Sequence, residues 1–128
     1  MIYSPSTDRA DIVESMRRRH VYGATDNIVV DFQAIDGRGR PHLMGEAFET
    51  DAAPRLVVNI AGTDRITAVD IVKNKAFIYH SAPGTNSVEF TYVDNSLAAG
   101  ESYYYVRVMQ IDRNLAWSSP VWITCKAR

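Results

Sequence analysis

The sequence predicts a mainly β protein, an antiparallel β-sandwich of seven or eight strands preceded by one N-terminal α-helix. Three observations support this. Apolar and polar residues alternate in short stretches that recur every ~10–15 residues, which is typical of a sandwich. Turn-forming residues separate these stretches, and helical periodicity is confined to residues 8–20. The 128 residues, 46% of them hydrophobic, suffice for a single core.

A one-sided helix is predicted first along the chain. Thr7 or Asp8 is a suitable N-cap, Asp8 with Asp11 resembles a capping box, and the helix would run to about His20. Arginines 17–19 fill its last turn, where cations complement the helix dipole. We therefore expect an N-terminal helix and connector over residues 1–22, and a β-sandwich domain over residues 23–128.

The apolar side of this helix is a candidate domain interface. Its members share one face at helical spacing, with a tyrosine nearby, and are Ile12, Val13, Met16, His20 and Tyr22. A face of this kind must cover something apolar. We expect it to cover either the sandwich or another domain outside these residues.

Alternation then predicts the strands. The first begins at Ile28, and the segment from Leu43 to Phe48 is short enough for an edge strand. A tight turn at residues 73–75 should join two paired strands, because Asn and its neighbours favour such turns. The expected strands cover residues 28–34, 43–48, 56–60, 69–71, 76–80, 88–92, 102–111 and 115–124.

The last two strands form a hairpin, around which the rest is organised. Its turn is at residues 112–114, and Pro120 should interrupt the ladder of its second arm. Just upstream, residues 97–103 resemble the corner of fibronectin-type and immunoglobulin-like sandwiches, where a tyrosine hydroxyl bonds back to the preceding loop. Along the first arm, one face is expected to carry Tyr104, Val106 and Val108, and the other Tyr103, Tyr105 and Arg107.

Charge and composition exclude several partners. Fourteen basic and fifteen acidic residues give a net charge of −1, so we expect neither nucleic acid nor a membrane surface as partner. No apolar run approaches the roughly 20 residues that cross a bilayer. Residues 1–20 also lack a signal-peptide pattern, and the single cysteine, Cys125, excludes an internal disulfide.

No catalytic, metal or cofactor site is expected. His20, His42 and His80 lie in different predicted elements, and their spacing matches no metal-ligand motif. Ser118 and Ser119 lack the glycine frame of a nucleophile elbow. The pattern favours a surface turn over a phosphate loop at residues 36–39, because the third glycine is missing.

Aromatic side chains of the last hairpin are the best candidate ligand-binding residues. Exposed aromatics on a sheet can stack on sugars or anchor a protein partner. The alternative is that they belong to the core or to a domain junction, since a strand alternates its side chains between two faces. The candidates are Tyr103, Tyr105, Trp117 and Trp122.

Two segments together resemble a known family. Residues 16–28, MRRRHVYGATDNI, resemble "R-R-x-Y-A-T-T-G-D-R-I", and residues 104–122, YYVRVMQIDRNLAWSSPVW, resemble "Y-Y-V-R-V-x-Q-x-D-G-x-x-A-W-S-S-P-I-W". Residues 44–46 and 69–74 also fit its "M-G-E" and "V-E-x-x-R-N-G" pieces, although Lys75 replaces the glycine. The resemblance spans residues 8–124. These motifs occur near the carboxyl end of a large bacterial family of unassigned function, related to the PHP (polymerase and histidinol phosphatase) metal-dependent phosphoesterases.

The resemblance implies the C-terminal β-sandwich of a larger hydrolase-like protein. In that family the metal-binding His and Asp residues belong to an upstream catalytic part, and nothing in this chain matches them. We therefore expect a non-catalytic accessory domain whose partner is the catalytic domain of the same parent protein. The alternatives are a carbohydrate- or protein-binding module that uses the aromatic residues, and a free-standing enzyme, for which no catalytic group is found.

Overall fold

The structure, a computed structural model that describes residues 4–95 and 100–125, confirms the mainly β class, with 56% strand and 8% helix. One helix, α1 (Arg9–Arg17), precedes eleven strands in these residues. The strands are β1 (Tyr22–Ala24), β2 (Val29–Ile35), β3 (Pro41–Leu43), β4 (Ala47–Thr50), β5 (Arg55–Ala61), β6 (Ile66–Lys73), β7 (Ala76–Ser81), β8 (Ser87–Val93), β9 (Gly100–Gln110), β10 (Leu115–Ser118) and β11 (Val121–Cys125).

The strands form two sheets that enclose one core. In the seven-stranded sheet, β9 is central: it pairs with β6 on one edge, and with β10 and then β11 on the other. Beyond these neighbours lie β7 next to β6, β1 next to β10, and β4 next to β11. The four-stranded sheet has the order β3-β2-β5-β8. All the described pairs are antiparallel except β4 with β11.

The expected count of seven or eight strands is wrong, because several strands are short and one arm is divided. The second arm of the last hairpin breaks into β10 and β11 at Ser119 and Pro120. At the break, the Val106 amide donates to Ser118 Oγ at 2.8 Å in place of a ladder bond. The Pro120 carbonyl accepts from the Gly45 amide, also at 2.8 Å. The predicted interruption at Pro120 is confirmed.

The single strand predicted over residues 43–48 is wrong, but its edge position is confirmed, since β3 and β4 each lie at the edge of a sheet. The chain crosses there from one sheet to the other, so that β3 pairs with β2 and β4 pairs with β11. Gly45 makes the crossing with φ of 92°, a region that disfavours side chains. A Cβ on Gly45 would overlap the Arg19 carbonyl, so the crossing packs directly against the end of α1.

Helix α1 ends earlier than predicted. The Arg19 amide donates to the Met16 carbonyl at 3.1 Å and the His20 amide to the Ser15 carbonyl at 2.9 Å, which is a Schellman motif. Arg19 takes the left-handed position with φ of 61°, where glycine is usual. His20 therefore lies outside the helix.

The predicted capping box is wrong as well. Asp8 is the N-cap, but its side chain makes no capping hydrogen bond. The Ser6 hydroxyl instead donates to Asp11 Oδ2 at 2.5 Å and accepts from the Asp8 amide at 3.1 Å. Asp11 is therefore bound from outside the helix.

The predicted inward sets form the core. Fully buried residues from facing strands include Ile28, Val30, Phe32, Ala34, Leu56, Val58, Tyr104, Val106 and Val108. Val88, Phe90 and Tyr92 pack against this core but are only half-buried, because β8 is an edge strand. The tight turn is confirmed between Lys73 and Ala76, which pair across it.

The sequence placed a tyrosine corner at residues 97–103, of which residues 97–99 lie outside the described part. The hydroxyl that bonds back belongs to Tyr104. It donates to Asp94 Oδ2, in the segment after β8, at 2.5 Å. Lys73 Nζ lies 2.6 Å from the same oxygen.

Candidate interaction surface

The outer face of the seven-stranded sheet carries most of the candidate residues. On β9, Tyr103, Tyr105 and Arg107 point away from the core, while the residues between them are buried. Strand register puts Trp122 beside Tyr103 and Trp117 beside Arg107. We call this surface the aromatic face and define it as Tyr103, Tyr105, Arg107, Trp117, Trp122 and Phe77.

The structure thus brings the four predicted aromatic residues together on one surface. Trp117 is 38% exposed, and the other three are half-buried. On its second flank Trp117 lies opposite Gly23, whose missing side chain leaves that edge of the indole uncovered. Their placement outside the core is what makes them available to a ligand.

Sequence reasoning missed Phe77 as part of this surface. Phe77 pairs with Val72, which pairs with Tyr105, so the three residues form one cross-strand row. At 63% exposure, Phe77 is the most exposed large hydrophobic residue of the described part of the chain. A bulge at Ile71 and Val72 shifts the register of β7, so simple alternation could not place Phe77.

Arg19 is a second residue that the sequence did not indicate. Its guanidinium lies 5.0 Å from the centre of the Trp122 ring, and its Nε donates to the Gly45 carbonyl at 3.1 Å. The arginine run was assigned to the helix dipole, whereas the left-handed backbone of Arg19 turns it onto the sheet. The end of α1 therefore borders the aromatic face.

A polar row crosses the aromatic face. His80 Nδ1 lies 2.5 Å from Asp70 Oδ1, and Asp70 pairs across the strands with Arg107, which pairs with Trp117. The aromatic groups are thus interleaved with one carboxylate and two cationic or ionisable groups. Such a surface combines apolar area with directional polar groups.

The candidate interface on α1 needs correction. His20 and Tyr22 are 9% and 8% exposed, so both are covered by this chain. Tyr22 also donates its hydroxyl to the Ile28 carbonyl at 3.0 Å. Ile12 is half-buried, whereas Val13 and Met16 are 38% and 55% exposed. The apolar surface that α1 presents outward is therefore limited to Val13 and Met16.

The outer face of the four-stranded sheet differs in chemistry. Asp31, Asn59 and Glu89 form one cross-strand row on it, followed by Gln33, Val57 and Thr91 in the next. Val29 and Val93 also lie on this face, 47% and 40% exposed, so it combines polar groups with aliphatic ones. The aromatic face differs in that its exposed apolar residues, Trp117 and Phe77, are aromatic.

The β2–β3 turn holds the most perturbed carboxylate. Asp36 Oδ2 lies 3.0 Å from His42 Nε2, and Oδ1 accepts from the amides of Arg40 and Arg38 at 3.0 and 2.9 Å. The His42 hydrogen bond, followed by that of the Arg40 amide, holds the pKa of Asp36 well below its usual range. Every one of these bonds lies within the hairpin, so Asp36 organises the predicted surface turn.

Two absences apply to residues 4–95 and 100–125. No group of three or more His, Cys, Asp or Glu side chains there is arranged to hold a metal ion. The one helix within the same residues, α1, is too short and too polar to span a membrane.

Comparison with known proteins gives relatives but no family, since no family model matches the chain. The chain is similar to uncharacterized bacterial proteins. Those of Chlamydia trachomatis serovar D, Chlamydia pneumoniae and Chlamydia muridarum are 31%, 30% and 29% identical to it. Each alignment covers 90% of this chain and 21% of the relative. The chain thus spans about a fifth of the length of the curated relatives that it matches.

Proposed function

We propose that this chain is a non-catalytic accessory β-sandwich of a larger parent protein and docks on another domain of that protein. The main support for this docking role is the aromatic face. The length of the relatives supports it, because the matched region is 21% of each of them. In a parent protein of that length, another domain of the same chain would be available for this module to bind.

The composition of the aromatic face favours a protein surface as its partner. Tyr, Trp and Arg are the residue types that dominate binding energy at protein interfaces. They are attached here to β9, β10 and β11, whose backbones are fixed by pairing on both sides. A rigid surface loses little conformational entropy on binding, so more of its contact energy is available as affinity.

The immunoglobulin-like assignment belongs to the same proposal. Its support is the strand order, in which β7-β6-β9-β10 are consecutive neighbours in one sheet and β2-β5-β8 in the other. The bond from Tyr104 to Asp94 supports it too, because such sandwiches anchor a tyrosine near the start of the penultimate long strand.

The nature of the parent is inferred from the resemblance described above. A PHP-like metal-dependent phosphoesterase domain would supply the catalysis, and this chain would support it. Phosphoesterase assays of the chain alone, with manganese or zinc added, are then expected to show no turnover. Turnover that disappears when His20 or His80 is replaced would make the chain a free-standing enzyme.

Helix α1 would contribute at the border of the docked surface. Its exposed Val13 and Met16 are apolar, and Arg19 covers one side of Trp122 at the helix end. We therefore expect the aromatic face to carry most of the affinity, with α1 adding a smaller share.

The experiment is a calorimetric titration of the chain with the separately expressed remainder of its parent. Trp117→Ala and Tyr105→Ala are expected to weaken binding at least about tenfold each, as hot-spot truncations do. Matched controls on the other outer face, Glu89→Ala and Thr91→Ala, should leave the affinity unchanged. If Met16→Ser abolishes binding while the aromatic variants bind normally, α1 is the docking surface and the aromatic face is not.

A second candidate function, carbohydrate binding, is favoured by one observation. The Trp117 indole is 38% exposed, and an exposed aromatic ring on a sheet can stack on a sugar ring. A glycan array followed by titration, with Trp122→Ala and Tyr105→Ala as controls, tests this function. Saturable sugar binding that both substitutions abolish would favour it over protein docking.

A further inference from the structure

We propose that His20 and Glu46 form a pH-sensitive latch that fastens the end of α1 to the crossing between β3 and β4, and that the latch closes when His20 takes up a proton. The proposal does not depend on the docking function. It concerns a conformational device within this chain, located where the helix meets both sheets.

The first observation is a buried imidazole nitrogen that lacks a hydrogen bond. His20 is 9% exposed, and its Nε2 has no hydrogen-bond partner. The nearest acidic group is Glu46, whose Oε2 lies 3.7 Å away, too far for a hydrogen bond. A buried polar atom without a hydrogen-bond partner destabilises a fold, unless a change in protonation or conformation gives it a partner.

The second observation is that Glu46 is held in place from other directions. Its Oε2 accepts from the Leu43 amide at 2.6 Å, which fixes the carboxylate at the end of β3. Its Oε1 lies 3.9 Å from His42 Nδ1. Glu46 is thus an anchored carboxylate between two imidazoles, and of these two only His20 has a buried ring nitrogen, Nε2, that lacks a hydrogen bond.

His42 already has other interaction partners. Its Nε2 lies 3.0 Å from Asp36 Oδ2, and its ring stacks on Phe48 with centroids 3.9 Å apart. These contacts restrain the orientation of His42, so a small rotation there would break two interactions. His20 makes no comparable contacts through its ring nitrogen, and it is the group that a proton would move.

The chemistry follows from the two states of the imidazole. In neutral His20, Nε2 presents to the Glu46 carboxylate either a lone pair, which the carboxylate repels, or an N–H, which is a weaker donor to a carboxylate than an imidazolium N–H⁺. Protonated His20 carries an N–H⁺ at Nε2, and closing 3.7 Å to hydrogen-bond length forms a charge-assisted bond. Proton uptake and seating of the helix end are then linked, because only the seated arrangement supplies the partner.

The charged groups around His20 leave Glu46 as its partner. From α1, Asp11, Glu14 and Arg18 line the same cleft, but Glu14 pairs with Arg18 at 2.8 Å and Asp11 accepts from Ser6. The neighbouring Arg19 extends over Trp122. Beyond His42, the Asp36 carboxylate is bound to Arg40 Nε at 3.2 Å as well as to His42.

The latch acts on the helix because of its position in the chain. The His20 amide bonds to the Ser15 carbonyl and completes the Schellman motif of α1. The preceding residue, Arg19, holds its backbone against Gly45. A hydrogen bond between the His20 side chain and Glu46 therefore stabilises the last turn of α1.

The test is amide hydrogen exchange of residues 10–17. It is measured by NMR at pH values from about 8 to about 5.5, the range in which imidazoles titrate. After correction for intrinsic exchange, protection of α1 is expected to rise at least about fivefold on acidification, as a charge-assisted hydrogen bond implies. His20→Gln and Glu46→Gln should each abolish this rise. In Glu46→Gln the side-chain amide oxygen can still accept from the Leu43 amide, so that variant keeps the β3–β4 crossing.

Substitutions of the other two histidines serve as controls. His80→Gln, on the exposed edge strand β7, should leave the response unchanged, and His42→Gln should retain it. No pH response in the native chain, or an equal response in His20→Gln, would overturn the proposal. A response that disappears only in His42→Gln would also overturn it, by assigning the titrating group to the β3 side.

Discussion

The hydroxyl of Tyr104 donates a hydrogen bond to the carboxylate of Asp94 at 2.5 Å, across ten residues of chain. Both residues are buried, and Lys73 Nζ approaches the same carboxylate oxygen at 2.6 Å. Burial, and then the bond to Asp94, raises the pKa of Tyr104, so its hydroxyl keeps its proton at any physiological pH. The group ties the segment after β8 to the central strand of the opposite sheet.

Tyr104→Phe is expected to destabilise the fold by about 1–3 kcal/mol, because a buried carboxylate loses a donor while the aromatic packing is kept. Urea unfolding at neutral pH measures the change. Tyr105→Phe is the matched control: it removes a hydroxyl from the next residue, on the outer face, and should change stability by less than about 0.5 kcal/mol. Equal effects of the two substitutions would contradict the role of the bond.

Asp36 should give the fold an acid-sensitive component. Since its folded pKa is depressed, its hydrogen bonds contribute stability above the unfolded value of about 4, and this stability is lost as pH falls through the folded value. Asp36→Asn is therefore expected to lower the urea midpoint at neutral pH. The gap from the native protein should narrow progressively below about pH 4, where the unfolded carboxyl is protonated. A gap independent of pH would assign the effect to something other than the carboxylate.

The contact between Gly45 and the end of α1 can be isolated with two substitutions. Gly45→Ala meets both an unfavourable φ of 92° and the Arg19 carbonyl, so a loss of about 3 kcal/mol or more is expected. Gly39→Ala meets an unfavourable φ of 79° in open space, and should cost only about 1–2 kcal/mol. Thermal unfolding compares them, and equal losses would mean that the contact with α1 is unimportant.

The β6–β7 turn stores a backbone strain that glycine should relieve. Asn74 and Lys75 have φ of 49° and 73°, as a two-residue turn of this type requires. Lys75→Gly is expected to stabilise the fold by about 0.5–1 kcal/mol, since the cost of a left-handed side chain exceeds the added chain entropy. Lys75→Ala should give no such gain in urea unfolding. A gain with alanine would point to the lysine side chain and not to the backbone.

Much of the fold could be predicted because strand alternation is a local signal. The inward sets on β2, β5 and β9 are buried as predicted, and the last hairpin turns at residues 112–114. The segment from Leu43 to Phe48 could not be predicted, because its two halves belong to different sheets and only long-range pairing decides that. His20 was misplaced for a similar reason: a left-handed Arg19 ends the helix where no glycine signals it.

The candidate surface was only partly predictable. Alternation along β9 placed Tyr103 and Tyr105 on one face, but it could not show that Trp117 and Trp122 lie beside them, since this depends on register across the break at Pro120. Phe77 could not be assigned to this surface from the sequence, because the bulge in β6 and β7 shifts the register of the two strands. Arg19 could not be predicted as part of the surface, because it contacts Trp122 of β11 from the end of the helix, and no sequence periodicity indicates that contact.

The most direct test of docking through the aromatic face is hydroxyl-radical footprinting of the chain, alone and bound to the remainder of its parent. We predict that oxidation of Phe77, Tyr105 and Trp117 falls several-fold in the complex, while Val29 and Val93, exposed on the other sheet, are oxidised as before. Unchanged oxidation of the aromatic face in a complex that does form, with protection found instead on the four-stranded sheet, would contradict it.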